Sequence, residues 1–131
     1  MIAVDTSALM AIAQDEPGAN ACVAVLAGED RLLMSAGTML EVLIVAARRN
    51  LGEEMRDLIE ALGFEIITVT PASVRRAAEA YQRWGKGVHP AKLNFGDCFA
   101  YEVAREHDCP LLFVGDDFAR TDVQAALPAA R

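Results

Sequence analysis

Histidine is nearly absent from this sequence: His89 and His107 are the only two among 131 residues. A histidine-ligated metal site or a Ser–His triad has almost nothing to be built from. Cysteine is sparse too. Cys22, Cys98 and Cys109 are odd in number and lack metal-type spacing, so they read as reduced thiols of a cytoplasmic protein. Positive charge is scarce: 12 Lys and Arg face 19 Asp and Glu, a net charge of −7 that argues against generic nucleic-acid affinity. Long apolar runs are missing. The most apolar stretch, Thr38 to Ala47, is interrupted by Glu41 and followed by Arg48 and Arg49, well short of the ~20 apolar residues that a spanning helix needs. No basic region opens the chain and Asp5 comes early, so no signal peptide is expected.

What is present is the composition of a folded domain. Apolar residues make up 53% and charged residues 24%. The length fits a single domain spanning 1–131, since domains typically run ~100–200 residues. No repeat, low-complexity tract or linker divides the chain. Short apolar runs predict strands at Ile2–Val4, Leu32–Met34, Glu65–Val69 and Leu111–Val114, covered on both faces, with a weak fifth near Val123. Helical patterns lie between them. Thr6 or Ser7 caps a first short helix, and others run over Pro17–Ala27, Thr38–Asn50, Glu53–Leu62, Pro71–Trp84 and Phe95–His107. Strands alternating with helices predict an α/β fold with a mainly parallel sheet of four to five strands. The loop from Gly85 to Asn94 stands out as basic and punctuated by Gly and Pro.

Most acids fit a solvated face, among them Glu53, Glu54, Asp57, Glu60, Glu79, Glu102 and Glu106. Four do not. Asp5 follows the first strand and Asp116 the fourth, beside Asp117; the C-terminal edge of a parallel sheet is where ligands bind. Each also suits a helix cap or turn. Glu41 lies in a helix that is apolar on every side and therefore expected to be buried, where an ionised carboxylate needs a pair or a metal. Asp97 opens a mostly apolar helix, a position also favoured by the helix dipole. Together the four suggest an oxygen-only site for Mg²⁺ or Mn²⁺ doing phosphate chemistry.

The segments Met1–Leu9, Leu40-Glu41, Leu93–Tyr101 and Leu112–Asp122, with Asn94-Phe95-Gly96-Asp97 and Gly115-Asp116-Asp117-Phe118 the most specific, make this chain resemble the PIN-domain family. Within that family it resembles the VapC-type toxins of bacterial toxin–antitoxin pairs. The resemblance runs over nearly the whole chain. It implies a three-layer α/β/α sandwich and a cytoplasmic, Mg²⁺-dependent endoribonuclease that inhibits translation by cleaving a structured RNA. Mn²⁺ is able to substitute. The resemblance makes Asp5, Glu41, Asp97 and Asp116 the four acids. Asp5 and Asp97 ligate the metal directly, and Glu41 and Asp116 do so directly or through water. Asp117 is the alternative to Asp116. Thr6, Ser7, Asn94 and Thr121 support the site, and Lys86, His89, Lys92 and Arg120 are candidates for holding RNA. The implied partners are a VapB-type antitoxin and a second copy of the chain, in a heterotetramer or larger complex without a membrane. Two other readings stay open: a receiver-like phosphoacceptor domain, against which the third strand end Thr68-Val69-Thr70 offers no Asp, and a non-catalytic binding module.

Overall fold

The computed structural model describes residues 1–127; the last four residues of the expected domain lie outside the described residues. In chain order the elements are β1 (Ile2–Val4), α1 (Thr6–Ala13), α2 (Ala19–Ala27), β2 (Leu32–Ser35), α3 (Ala36–Arg48), α4 (Gly52–Leu62), β3 (Glu65–Ile67), α5 (Pro71–Trp84), α6 (Asp97–Glu106) and β4 (Leu111–Leu112), then a 3₁₀ turn at Phe118–Arg120. The four strands form an all-parallel sheet in the order β3-β2-β1-β4.

Side-chain alternation along the strands sorts the chain into three layers. Ile2 and Val4 of β1 and Leu32 and Met34 of β2 point to one face, where Leu9, Cys22, Val42 and Met55 of α1 to α4 cover them. Ala3, Leu33 and Leu111 point to the other, beneath Ala80 of α5 and Ala100, Tyr101 and Val103 of α6. The period of two places successive strand residues in opposite cores, so short strands feed both layers.

Several expectations need correction. β3 is an edge strand with Glu65 and Ile66 exposed, not one covered on both faces, and it ends at Ile67. β4 has only two residues. The expected fifth strand reduces to a bridge: Leu111 N–H donates to Gln124 O at 2.8 Å, and Ala126 N–H donates to Leu111 O at 2.9 Å. α3 begins two residues before Thr38 because the Ser35 side chain accepts from Gly37 N–H and starts the helix there. α2 and α6 begin two residues later than expected, at Ala19 and Asp97. α3 is not buried all round. Val42 and Ala46 face the core, while Leu40 is 62% and Ile44 48% exposed, an apolar face without cover among the described residues. Glu102 is not solvated; it is buried and pairs with Arg76 at 3.4 Å. No described helix is long and apolar enough to cross a membrane, and the three cysteines are buried and free.

Candidate active site

Strand order fixes where a site forms. β1 is flanked by β2 on one side and β4 on the other, and the chain leaves the sheet in different directions on the two sides. The crevice beyond the C-terminal ends of β1 and β4 is therefore the topological switch point, where parallel sheets bind ligands. A cleft of about 230 Å³ opens there, lined by Asp5, Ser7, Asp97 and the segment Val114–Phe118.

Asp5 leaves β1 with its N–H donating to Leu112 O at 3.0 Å. It, and not Thr6 or Ser7, caps α1: its Oδ2 accepts from Ser7 N–H at 3.0 Å and Ser7 Oγ at 2.7 Å. Ser7 Oγ in turn accepts from Val114 N–H at 3.0 Å, fastening the end of β4 to the start of α1. Capping occupies only one oxygen of Asp5. The other, Oδ1, is buried with no hydrogen-bond partner. Burial pushes the Asp5 carboxyl from an ordinary 3.8 up to about 6; the Glu41 charge adds to this and the Ser7 hydrogen bonds oppose it. The cap reading and the ligand reading of Asp5 are thus compatible, one oxygen for each.

Asp97 opens α6. Its Oδ2 accepts from Asn94 N–H at 3.0 Å and its own N–H donates to Asn94 Oδ1 at 2.9 Å, a reciprocal pair that fixes the turn entering the helix. Asp97 is 8% exposed, and burial pushes its carboxyl up to about 7. The charges of Asp5, Asp117 and Glu41 push in the same direction, against the Asn94 backbone bond. Glu41 reaches the region from α3. Thr6 Oγ1 donates to its Oε1 at 2.6 Å, tying α1 to α3 beside Asp5. Gly115, at φ +108°, turns the chain after β4 and sets Asp116 and Asp117 on the cleft wall, both exposed. The Asp117 charge is among those that push Asp97 up.

Among the described residues, no three His, Cys, Asp or Glu side chains gather tightly enough to hold an ion unaided. The donor set nonetheless fits a hard cation. It is all oxygen, it includes a buried unpartnered carboxylate atom, and two of its carboxyls are held far above their ordinary range, chiefly by burial and further by neighbouring negative charge. Mg²⁺ dehydrates reluctantly and is usually held by one or two carboxylates plus waters and substrate phosphate, which suits a site this open.

The other expected residues are more dispersed. Thr121 donates to Phe118 O at 2.7 Å and accepts from Val123 N–H at 3.3 Å, so it closes a turn and does not line the cleft. His89 is engaged inside the basic loop: Nδ1 accepts from Ala91 N–H at 3.0 Å and the ring meets Trp84 edge-on. Arg120 donates to Pro90 O at 3.2 Å, placing it beside the same loop, where Lys86 and Lys92 are exposed. Asp122 accepts from Tyr101 OH at 2.6 Å, and Tyr101 OH accepts from Trp84 Nε1 at 3.0 Å. This chain braces the loop's base on α6, a role hidden in sequence because its members lie on three separate segments.

The match to known proteins covers almost the whole chain. The PIN domain family model matches residues 2–124. Ribonuclease VapC36 of Mycobacterium tuberculosis is 44% identical over 126 residues, 92% of this chain and 90% of that protein. Ribonuclease VapC28 of the same organism is 41% identical over 128 residues, 95% of this chain and 96% of that protein. Among solved structures, M. tuberculosis VapC20, a Sarcin-Ricin loop cleaving toxin, superposes with a TM-score of 0.77 at 17% identity, covering 94% of this chain and 96% of that one. A toxin–antitoxin complex from Klebsiella pneumoniae superposes with a TM-score of 0.70 at 21% identity, with 93% of each chain covered. These folds are those of PIN-domain toxins, and the receiver-like alternative falls away. The acidic crevice thus sits in a chain that belongs to the PIN-domain family and, within it, to the VapC ribonucleases.

Proposed function

We propose that this nuclease is the toxin of a toxin–antitoxin pair and hydrolyses RNA phosphodiester bonds with Mg²⁺ or Mn²⁺, leaving 5′-phosphate and 3′-hydroxyl ends. The observation that carries this reading is the pair of buried carboxylates, Asp5 and Asp97, lining one cleft, with Asp5 Oδ1 buried and unpartnered. They are the direct ligands. Glu41 and an acid of the Asp116–Asp117 pair complete the site through water, with Asp117 favoured by its action on Asp97. Asp5 and Asp97 would hold a Mg²⁺ that, when bound, would supply an acidified water and offset charge at the phosphate and leaving oxygen. The protein's part is orientation: Ser7 aims Asp5, Asn94 aims Asp97, and Thr6 aims Glu41. Lys86, Lys92 and Arg120, gathered at the basic loop, are the cations available to draw phosphates. With few such cations and a net charge of −7, a structured RNA recognised by shape is the favoured substrate, and its cleavage halts translation.

A VapB-type antitoxin is the expected partner, supported by the likeness to the toxin–antitoxin complex from K. pneumoniae and to VapBC2 of Rickettsia felis (TM-score 0.69, 13% identity, 95% of this chain and 96% of that one). A homodimer, alone or within a heterotetramer, is supported by the exposed apolar face of α3 at Leu40 and Ile44. The three free thiols favour the cytoplasm.

The test is cleavage of cellular RNA by antitoxin-free protein stripped of metal, with 5′ ends mapped by sequencing and Asp5→Asn as control. Activity should return with Mg²⁺ or Mn²⁺, be absent in EDTA and be inhibited by Ca²⁺, which takes a larger, looser shell. Full cleavage in EDTA, or by the Asp5→Asn protein, would overturn the proposal.

A further inference from the structure

We infer that Gly96 is a positioning residue for Glu41, an assignment that rests on the metal-nuclease reading of the site. Gly96 precedes α6 at φ −66°, ψ −37°, right-handed helical geometry that any residue adopts. Backbone conformation therefore does not call for glycine there. Neither does capping: Gly96 has no side chain to offer the helix, at a position where Ser, Asp or Asn is preferred. Glycine also enlarges the freedom of the unfolded chain and so weakens the fold.

The space above its α-carbon explains the choice. A Cβ at Gly96 would overlap Oε2 and Cδ of Glu41 and stand 2.8 Å from Oε1; the three nearest atoms are all that carboxylate. The same Oε1 accepts the Thr6 hydroxyl at 2.6 Å. The carboxylate is thus held between a hydroxyl of α1 and the bare α-carbon at the head of α6, one residue from Asp97. Gly37 is a useful contrast. A Cβ there would meet the Phe99 ring, a rigid obstacle within the packing. Glu41 presents the far end of a flexible side chain, which swings aside at little cost to the fold. A methyl group at position 96 therefore moves the carboxylate away from the site while leaving the protein folded.

A double-mutant cycle over Gly96→Ala and Glu41→Ala tests this, with melting temperature in EDTA, Mn²⁺ affinity by electron paramagnetic resonance and single-turnover RNA cleavage measured on all four proteins. In the Glu41→Ala background, Gly96→Ala should raise the melting temperature by about 2–4 °C, the ordinary gain from replacing a helical glycine. With Glu41 present that gain should shrink or vanish. Gly96→Ala should weaken Mn²⁺ binding and slow cleavage by about 10- to 100-fold when Glu41 is present, the scale of a lost ligand-orienting contact. It should change neither when Glu41 is already absent. Equal thermal gains in both backgrounds would show that the carboxylate does not pack on Gly96. Coupled melting temperatures with unchanged Mn²⁺ affinity and cleavage would reduce Gly96 to a packing residue and overturn its positioning role. Wild-type protein that neither binds Mn²⁺ nor cleaves RNA would instead overturn the nuclease reading, and the positioning role with it, while the thermal cycle still reports the packing.

Discussion

Asp97→Asn should destroy activity and stabilise the metal-free protein, with a defined dependence on pH. In the folded chain the Asp97 carboxyl titrates at about 7, against 3.8 ordinarily. Holding it ionised above pH 7 therefore costs at most ~4 kcal/mol, about 1.4 kcal/mol for each of roughly three pH units. Asparagine keeps the volume and retains an oxygen to accept from Asn94 N–H. It sheds the charge that Asp5, Asp117 and Glu41 repel. The weaker bond that a neutral acceptor makes to Asn94 is already contained in that shift, so the gain at pH 8 is bounded by the same ~4 kcal/mol, on the order of 10 °C in melting temperature. Between pH 4 and pH 7 the folded wild-type chain binds more protons at this position than the unfolded chain. Wild-type stability therefore falls as pH rises through that window. The gap to Asp97→Asn should open from near zero at pH 4, reach its full size above pH 7 and stay level beyond. Asp5, raised to about 6, bends both curves in the same direction, and because the two carboxylates repel each other, loss of the Asp97 charge also eases ionisation of Asp5. Scanning calorimetry in EDTA from pH 4 to 8.5 measures it. Added Mn²⁺ should invert the order at pH 8 by stabilising the wild type alone, because metal binding competes with the protons. A gap independent of pH, or an Asp97→Asn protein less stable than wild type at pH 8, would refute the reasoning. Asp97 would then be a structural ion held by Asn94.

Glu41→Gln should lower the metal-dependent rate at least ~10²-fold, with a melting temperature in EDTA equal to or above wild type; single-turnover rates and melting curves on one preparation check it. A fall of roughly 3–5 kcal/mol in stability with activity per folded molecule preserved would mark Glu41 as half of a structural ion pair instead. Ser7→Ala should strip one partner from Asp5 Oδ2 and one from Val114 N–H, costing ~1–2 kcal/mol. Because the Ser7 hydroxyl bond helps to hold the Asp5 carboxyl down, its loss should move the onset of metal-dependent cleavage to higher pH, read from a pH–rate profile; an unmoved profile would separate Ser7 from Asp5.

The acids were visible in the sequence because each broke a local pattern. Asp5 and Asp116 end apolar runs, Asp97 opens an apolar helix and Glu41 interrupts one. Burial on all sides of α3 is not what distinguishes Glu41. Its helix exposes Leu40 and Ile44, so Glu41 stands out for what it meets across the fold, Thr6 and Gly96, rather than for burial on all sides. Pairings of that kind cross elements and leave no periodic trace. The same holds for Ser7 with Val114 and for Glu102 with Arg76: the α6 face that carries Glu102 is solvated in isolation and is covered only once α5 packs on it. Apolar residues continue past the last ladder bond at Thr68-Val69 and Phe113-Val114, so the apolar runs are longer than the strands. Short runs of this type fix the existence of a strand better than its length.

The hydrogen bond from Val114 to Ser7 joins residues 107 positions apart, and Asp5 itself leans on Leu112 at the far end of the chain. A growing polypeptide carries Asp5, Glu41 and Asp97 well before β4 exists to close the crevice around them. The acidic centre is therefore completed by the last strand to be synthesised, and a chain still lacking it has neither the wall formed by Asp116 and Asp117 nor the anchor for Ser7.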